Sequence, residues 1–371
     1  MATPMDTVAT LDRRETGAAA ALAARAAARA RIDDDKVMLK TAADLTRDLN
    51  TARPAIYWSD MLASAAIGYA ALIAAMAAPS LGWTVLAGVV AALALYRAES
   101  FIHELTHIKH SAVPGFRLGW NLLVGIPLLT PSFMYEGVHN LHHARTRYGT
   151  VEDPEYLPLA LMKWWTLPTF ILVAALAPVA LLFRYAVLTP LSAVIPPLRR
   201  TVVARFSGLQ INPSFRRRPP EGEARALWHR LEAGASVYAI ALIVLTATGM
   251  IPLKAFLIFL AVTSGLAVTN QVRTLVAHLW ENEGEAMTVT AQYLDSVNVP
   301  PPALLPMLWA PVGLRYHALH HLLPGLPYHA LGTAHRRITA ALDADSVYHK
   351  GSYTGLPFLA KRLAASTIKR R

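Results

Sequence analysis

"MLASAAIGYAALIAAMAAPSLGWTVLAGVVAALALY", residues 61–96, contains no charged side chain. One crossing of the hydrocarbon layer takes about 20 apolar residues, so this run is too long for a single span. Pro79 and Gly82 sit near its middle and mark a turn. The stretch reads as two membrane-spanning helices joined tightly. A second uncharged run covers Ala233–Leu253, is interrupted by Lys254, and resumes over Ala255–Val272, with Gly249 and Pro252 at its turn. It reads as a second helical hairpin. Buried helices of a large soluble protein seldom sustain such lengths. Composition agrees, since 54% of the 371 residues are hydrophobic and 16% are charged, against about 25% charged in ordinary soluble domains. The expected fold is all-α and integral to a membrane: two transmembrane hairpins, interfacial helices, and a histidine-rich helical cap on the cytosolic side.

Charge sets the expected topology. Lys and Arg collect on the cytosolic side of membrane proteins, and here they concentrate in residues 1–50 and 199–230. Both hairpins should therefore begin and end in the cytosol. "WWTLPTFILVAALAPVALLFRYAVLTPLSAVIPP" (164–197) is also apolar, but five prolines and Arg184 interrupt it. A single crossing there would put the basic 199–230 stretch outside. It reads as an interfacial or re-entrant segment, as does the Gly- and Pro-containing stretch 118–133. Residues 1–50 read as a cytosolic leader, partly helical or disordered. Arg25 and Arg29 break its alanine-rich run, which therefore lacks a secretory core. Residues 51–345 form the membrane domain and 346–371 a basic tail. The net charge of +11 suits anionic headgroups or an acidic partner. No nucleic-acid motif accompanies it.

The chain has no cysteine. Disulfides, thiolate ligands and an internal iron–sulfur cluster are excluded, so any metal is held by nitrogen or oxygen. Eight of the 14 histidines fall into three boxes: "HELTH" (His103, His107), "HNLHH" (His139, His142, His143) and "HALHH" (His317, His320, His321). At helical spacing, positions i, i+3 and i+4 share one face, so each box should present its imidazoles together. Three such boxes on one membrane face point to metal rather than to solvated surface. "HELTH" also fits the H-E-x-x-H helix of zinc proteases, with Glu104 as base. Eight imidazoles exceed the three ligands of one catalytic zinc. Two iron ions accommodate them, because imidazole suits iron.

The order of the boxes, and the membrane segment between the second and third, resemble the membrane fatty acid desaturase family. "YGTVEDPEYLPL" (148–159) and "QVRTLVAHLWENEG" (271–284) are similar to its bacterial members. The resemblance implies a two-iron centre with about nine histidine ligands, the ninth being His278. It implies O2-dependent insertion of a double bond into a lipid acyl chain. Electrons would come from an external ferredoxin-, rubredoxin- or cytochrome-type donor, and the setting would be a bacterial inner membrane. Lipid or carotenoid hydroxylation or ketolation on the same scaffold is the second reading, and an intramembrane zinc protease the third. His110 and Glu104 are expected to assist rather than ligate.

Overall fold

The computed structural model describes Ala24 and residues 32–368. Those residues form helices and turns, with isolated bridges and no strand among them. In chain order the main helices, short ones at Phe116–Trp120 and Pro306–Trp309 aside, are α1 (Lys36–Thr46), α2 (Pro54–Ala77), α3 (Leu81–His107), α4 (His139–His142), α5 (Thr166–Val194), α6 (Pro196–Phe206), α7 (Gly222–Ala247), α8 (Leu253–Leu275), α9 (Val289–Asp295), α10 (His317–Leu322), α11 (Tyr328–Ala341) and α12 (Leu356–Ile368). The chain is an all-α integral membrane protein. Most of the leader lies outside the described residues.

The uncharged 61–96 run is the α2–α3 hairpin. Ser80 caps α3 by accepting from the Trp83 amide. The run is bounded by Asp60 and Arg97, and these pair with each other at 2.5 and 2.8 Å. Its two ends thus close on themselves where the hairpin leaves the apolar layer. Gly68 permits the helices to touch, because a Cβ there would come within 2.7 Å of Leu95. Tyr328 donates to Asp60 at 2.9 Å, tying α11 to the hairpin.

Five described helices, not four, are long and apolar enough to span a membrane, and the fifth is α5. The segment read as interfacial or re-entrant is one continuous helix over Thr166–Val194, and its apparent interruptions are absorbed. Pro168 lies in the first turn, where a proline costs no internal hydrogen bond. Residues Arg184–Leu188 adopt a π-helical turn. That turn sends Arg184 inward to Glu232 at 2.6 Å, Ser207 Oγ at 2.9 Å and the Phe206 carbonyl at 3.0 Å. Helix α5 also alters the second hairpin. Its two helices do not lie flat together: α8 packs against α3 and α5, and α7 packs around the π turn of α5. After α6 the chain rejoins the region it left. Leu209 donates to the Met134 carbonyl, Asn212 to the Asp153 carbonyl, and Arg217 to the carbonyls of Phe133 and Glu136. Residues 207–217 therefore share one end of the bundle with the second histidine box.

The remaining helices form a cap at that end. Met38 and Ala42 of α1 are fully buried against Leu331, Ala334 and Ile338 of α11. Leu359 and Leu363 of α12 are buried as well.

Two outcomes follow. With no native cysteine present, Ser80→Cys and Ser214→Cys should react with an impermeant thiol reagent from opposite sides of the membrane. Reaction from the same side would contradict the shared end of the bundle. Glu232→Ala should leave Arg184 buried and unpaired, at a cost of about 3–5 kcal/mol, read as a marked fall in the thermal midpoint in detergent.

Candidate di-metal centre

Box one occupies the last turns of α3, box two lies on α4 and its end, and box three lies on α10. His278 follows α8 on extended backbone bridged to Ser296. The nine imidazoles fall into two groups, His103, His107, His139, His143 and His320 in one and His142, His278, His317 and His321 in the other. Within each group the potential ligand atoms lie within 4.8 Å of one another.

The single-face expectation is corrected here. Each H-x-x-H-H box straddles both groups. His139 and His143 enter the first while His142 enters the second; His317 and His321 enter the second while His320 enters the first. Positions i and i+4 differ by about 40° around the helix, but i+3 and i+4 differ by about 100°. One box can therefore serve two centres that lie side by side.

Ring nitrogens face ring nitrogens at the middle of each group. His139 Nε2 and His143 Nε2 are 3.0 Å apart, and His320 Nε2 is 3.1 Å from both His107 Nε2 and His143 Nε2. His278 Nε2 to His317 Nε2 is 3.0 Å, and His317 Nε2 to His321 Nε2 is 3.2 Å. Nitrogens bound at about 2.1 Å and set at right angles around one ion would stand about 3.0 Å apart. Both nitrogens of His103 are buried without a hydrogen-bond partner. These features fit metal ions coordinated by imidazole. Burial holds His139, His143, His278, His317, His320 and His321 well below the usual histidine pKa. They are thus neutral, the form that ligates.

The far ring nitrogens fix which lone pair points inward. His139 Nδ1–H donates to Glu155 Oε1 at 2.9 Å, and Tyr135 holds the other oxygen of that carboxyl at 2.9 Å. His142 Nδ1–H donates to Asp153 at 2.9 Å. His278 Nδ1–H donates to Tyr148 at 2.8 Å, whose own hydroxyl donates to Asp295 at 2.9 Å. Such partners orient and strengthen metal ligands. Burial disfavours a charged His142, but the Asp153 carboxylate outweighs it and the net shift is upward. Burial also raises Glu155 to about 7, against the pull of His142.

Local backbone makes these contacts. Gly149 has φ +72°, and a Cβ there would sit 2.5 Å from Asn282 Nδ2. The turn it permits brings Asp153 back under His142, and the Gly149 and Glu155 amides hold that carboxylate at 2.8 Å each. Asp153, Glu155 and Tyr148 lie within the family-like stretch 148–159, but no period in the sequence assigns them to histidines.

Glu104 does not face either group. Its carboxyl accepts from the Tyr57 hydroxyl and the Tyr328 amide, 3.8 Å from His103 Nδ1 at its other oxygen. The base geometry of a zinc protease is not present. His110 lies outside both groups, 2.9 Å from Arg117. Thr274 donates to the Asn270 carbonyl at 3.0 Å.

A cavity of about 780 Å³ opens beside His103, between α3, α5 and α8. Phe170, Val173, Ala177, Leu181 and Leu266 line its apolar part, and Tyr135, Glu155 and Arg273 stand among the residues near the histidines. Its volume suits a small-molecule or lipid-chain site, for which about 300–1,000 Å³ is usual.

Helices long and apolar enough to span a membrane, two buried histidine groups able to hold metal at one end and a lipid-sized cavity beside them suit a membrane lipid oxidoreductase. The fatty acid desaturase family model matches residues 77–352, and the chain belongs to that family. It is also similar to the ceramide hydroxylase of Caulobacter vibrioides (strain NA1000 / CB15N). The two are 49% identical over 327 residues, covering 88% of this chain and 93% of the relative.

Asp153→Asn should keep the side chain's shape but weaken its hold on His142. Metal affinity should fall by about 10–100-fold, measured as metal retained against a graded chelator. His143→Ala and His321→Ala should each deplete one of two bound ions per chain.

Proposed function

We propose that the chain is an iron- and O2-dependent hydroxylase of a ceramide-type lipid, acting at the end of the bundle that faces the cytosol. The observation that carries this is its 49% identity to a ceramide hydroxylase over nearly the full length of both chains. The sequence reading put a double bond first and hydroxylation second. The relative reverses that order, and both products share the first C–H cleavage. Nine imidazoles without a thiolate favour iron. Two irons held by the two histidine groups would supply reductive activation of O2 and transfer of one oxygen atom into a C–H bond.

The chain's own part is placement. The apolar walls of the cavity desolvate the lipid chain and hold one methylene near His103. Asp153, Glu155 and Tyr148 keep the imidazoles aimed. Electrons come from an external ferredoxin-, rubredoxin- or cytochrome-type carrier. A second cleft of about 1120 Å³ beside the second box supports an acidic carrier, because Arg117, Arg147, Arg216, Arg217, Arg218 and Arg230 outnumber its acidic residues Glu136, Glu152 and Glu223.

Expression in a host that makes saturated ceramides, grown under heavy-oxygen-labelled O2, should yield ceramide carrying one labelled oxygen atom. His320→Ala should abolish it. A ceramide lacking two hydrogens and gaining no oxygen would replace this reading with desaturation.

A further inference from the structure

Helix α3 carries one more chemically active side chain to the cavity. Glu99 stands four residues before His103, so the two share a helix face with about 5–6 Å between their Cβ atoms. Its carboxyl lines the cavity and accepts from Thr130 Oγ1 at 2.8 Å. Among the described residues that is its one hydrogen bond, and no Lys or Arg forms an ion pair with it. Arg273 stands on the same cavity wall. Leu128, Thr263 and Leu266 are among the other lining residues. An ionisable group within a membrane-spanning helix is costly and faces a cavity or a partner when it is retained. The metal centre uses Glu99 for nothing: its neighbours Glu155 and Asp153 take the histidine N–H groups.

We infer that Glu99 and Thr130 form a positioning site for the polar end of the lipid, in which the Glu99 carboxyl accepts a hydrogen bond from the amide N–H, or the adjoining hydroxyl, of an N-acyl amino alcohol. This rests on the ceramide reading and adds two things to it. The first is selectivity. A glycerolipid whose hydroxyls are all esterified offers no donor at that end, so its entry would leave the carboxyl facing an apolar chain, and buried polar groups left unmatched reject a ligand strongly. The second is position. With the amide held one helical turn from His103, the C–H bonds that reach the metal positions are those within a few bonds of the amide. Carbons in mid-chain or at the methyl end lie deeper along the cavity. The hydroxyl is therefore placed near the polar end of the lipid.

The test uses full-length iron-loaded protein and N-stearoylsphinganine. Tandem mass spectrometry should place the new hydroxyl beside the amide. Loss of the hydrogen bond to the carboxyl should make Glu99→Leu raise KM about tenfold and spread the hydroxyl along the chain, with iron content unchanged. Glu99→Gln, which keeps an acceptor oxygen, should restore the position. A purely structural role would move stability but not regiochemistry. Should the leucine variant fail to accumulate, Thr130→Val makes the same measurement in the same direction. A wild-type hydroxyl in mid-chain, or an unchanged KM and position in Glu99→Leu, would overturn the inference. A binding arm separates it from the proposed reaction. Metal-free protein in native mass spectrometry should retain N-stearoylsphinganine over its N-methyl or its O-methyl analogue, and which analogue loses identifies the donor. Glu99→Leu should lose the preference. If wild type shows no preference, the positioning site is wrong, whatever reaction the loaded enzyme performs. If preference is present but ceramide is not oxidised, only the reaction is wrong.

Discussion

Seven imidazoles, those of His107, His139, His143, His278, His317, His320 and His321, turn nitrogen to nitrogen at 3.0–3.2 Å, an arrangement that is unfavourable until a cation stands between them. The fold is arranged to hold that unfavourable gathering in place. The inward lone pairs of His139, His142 and His278 are defined from behind, by Glu155, Asp153 and the Tyr148–Asp295 pair. These acceptors are buried too, so their charges act through little solvent and their hold on the imidazoles is strong. Rigid supports are needed in turn. The Asp60–Arg97 clasp fixes the hairpin that ends in His103 and His107, and the Gly149 turn fixes the carboxylate behind His142.

Much of this was legible in the sequence because it depends on local period. The 61–96 run gives its hairpin through length and a central Pro-Gly signal, and the boxes give their helices through spacing. What was not legible depends on partners far along the chain. Arg184 reads as an interruption until Glu232, 48 residues on, neutralises it. The sharing of each box between two centres is likewise invisible one box at a time, since it needs the neighbouring ring from another helix. His278 has no box of its own and entered through family likeness. Asp153 and Glu155 sit in a loop, where no periodicity marks a side chain.

Hydroxylation and desaturation diverge after the same first bond is broken, so ligand identity cannot separate them. The outcome is governed by where the lipid lies when the second event occurs. That places the discriminating chemistry in the cavity wall and not in the histidines: in the apolar residues of α5 and α8, and in the polar groups that break their uniformity. Helix α5 is central to this. By inserting beside α8 it keeps the second hairpin from closing, and the room left open is the room a lipid chain would take.

The division of the boxes has a consequence for biosynthesis. All five long apolar helices are complete by Leu275, so a nascent chain at that stage can be fully inserted. It then holds His103, His107, His139 and His143 of the first group but only His142 of the second. The second position gains its other three ligands, and the first its fifth, only when residues 278–321 emerge and fold back across the bundle. On the proposed ligand set, filling of the second position therefore waits for residues 278–321. A ribosome-stalled or truncated product would sit in the bilayer as an inserted but metal-poor protein, distinguishable from the finished one by its metal content alone.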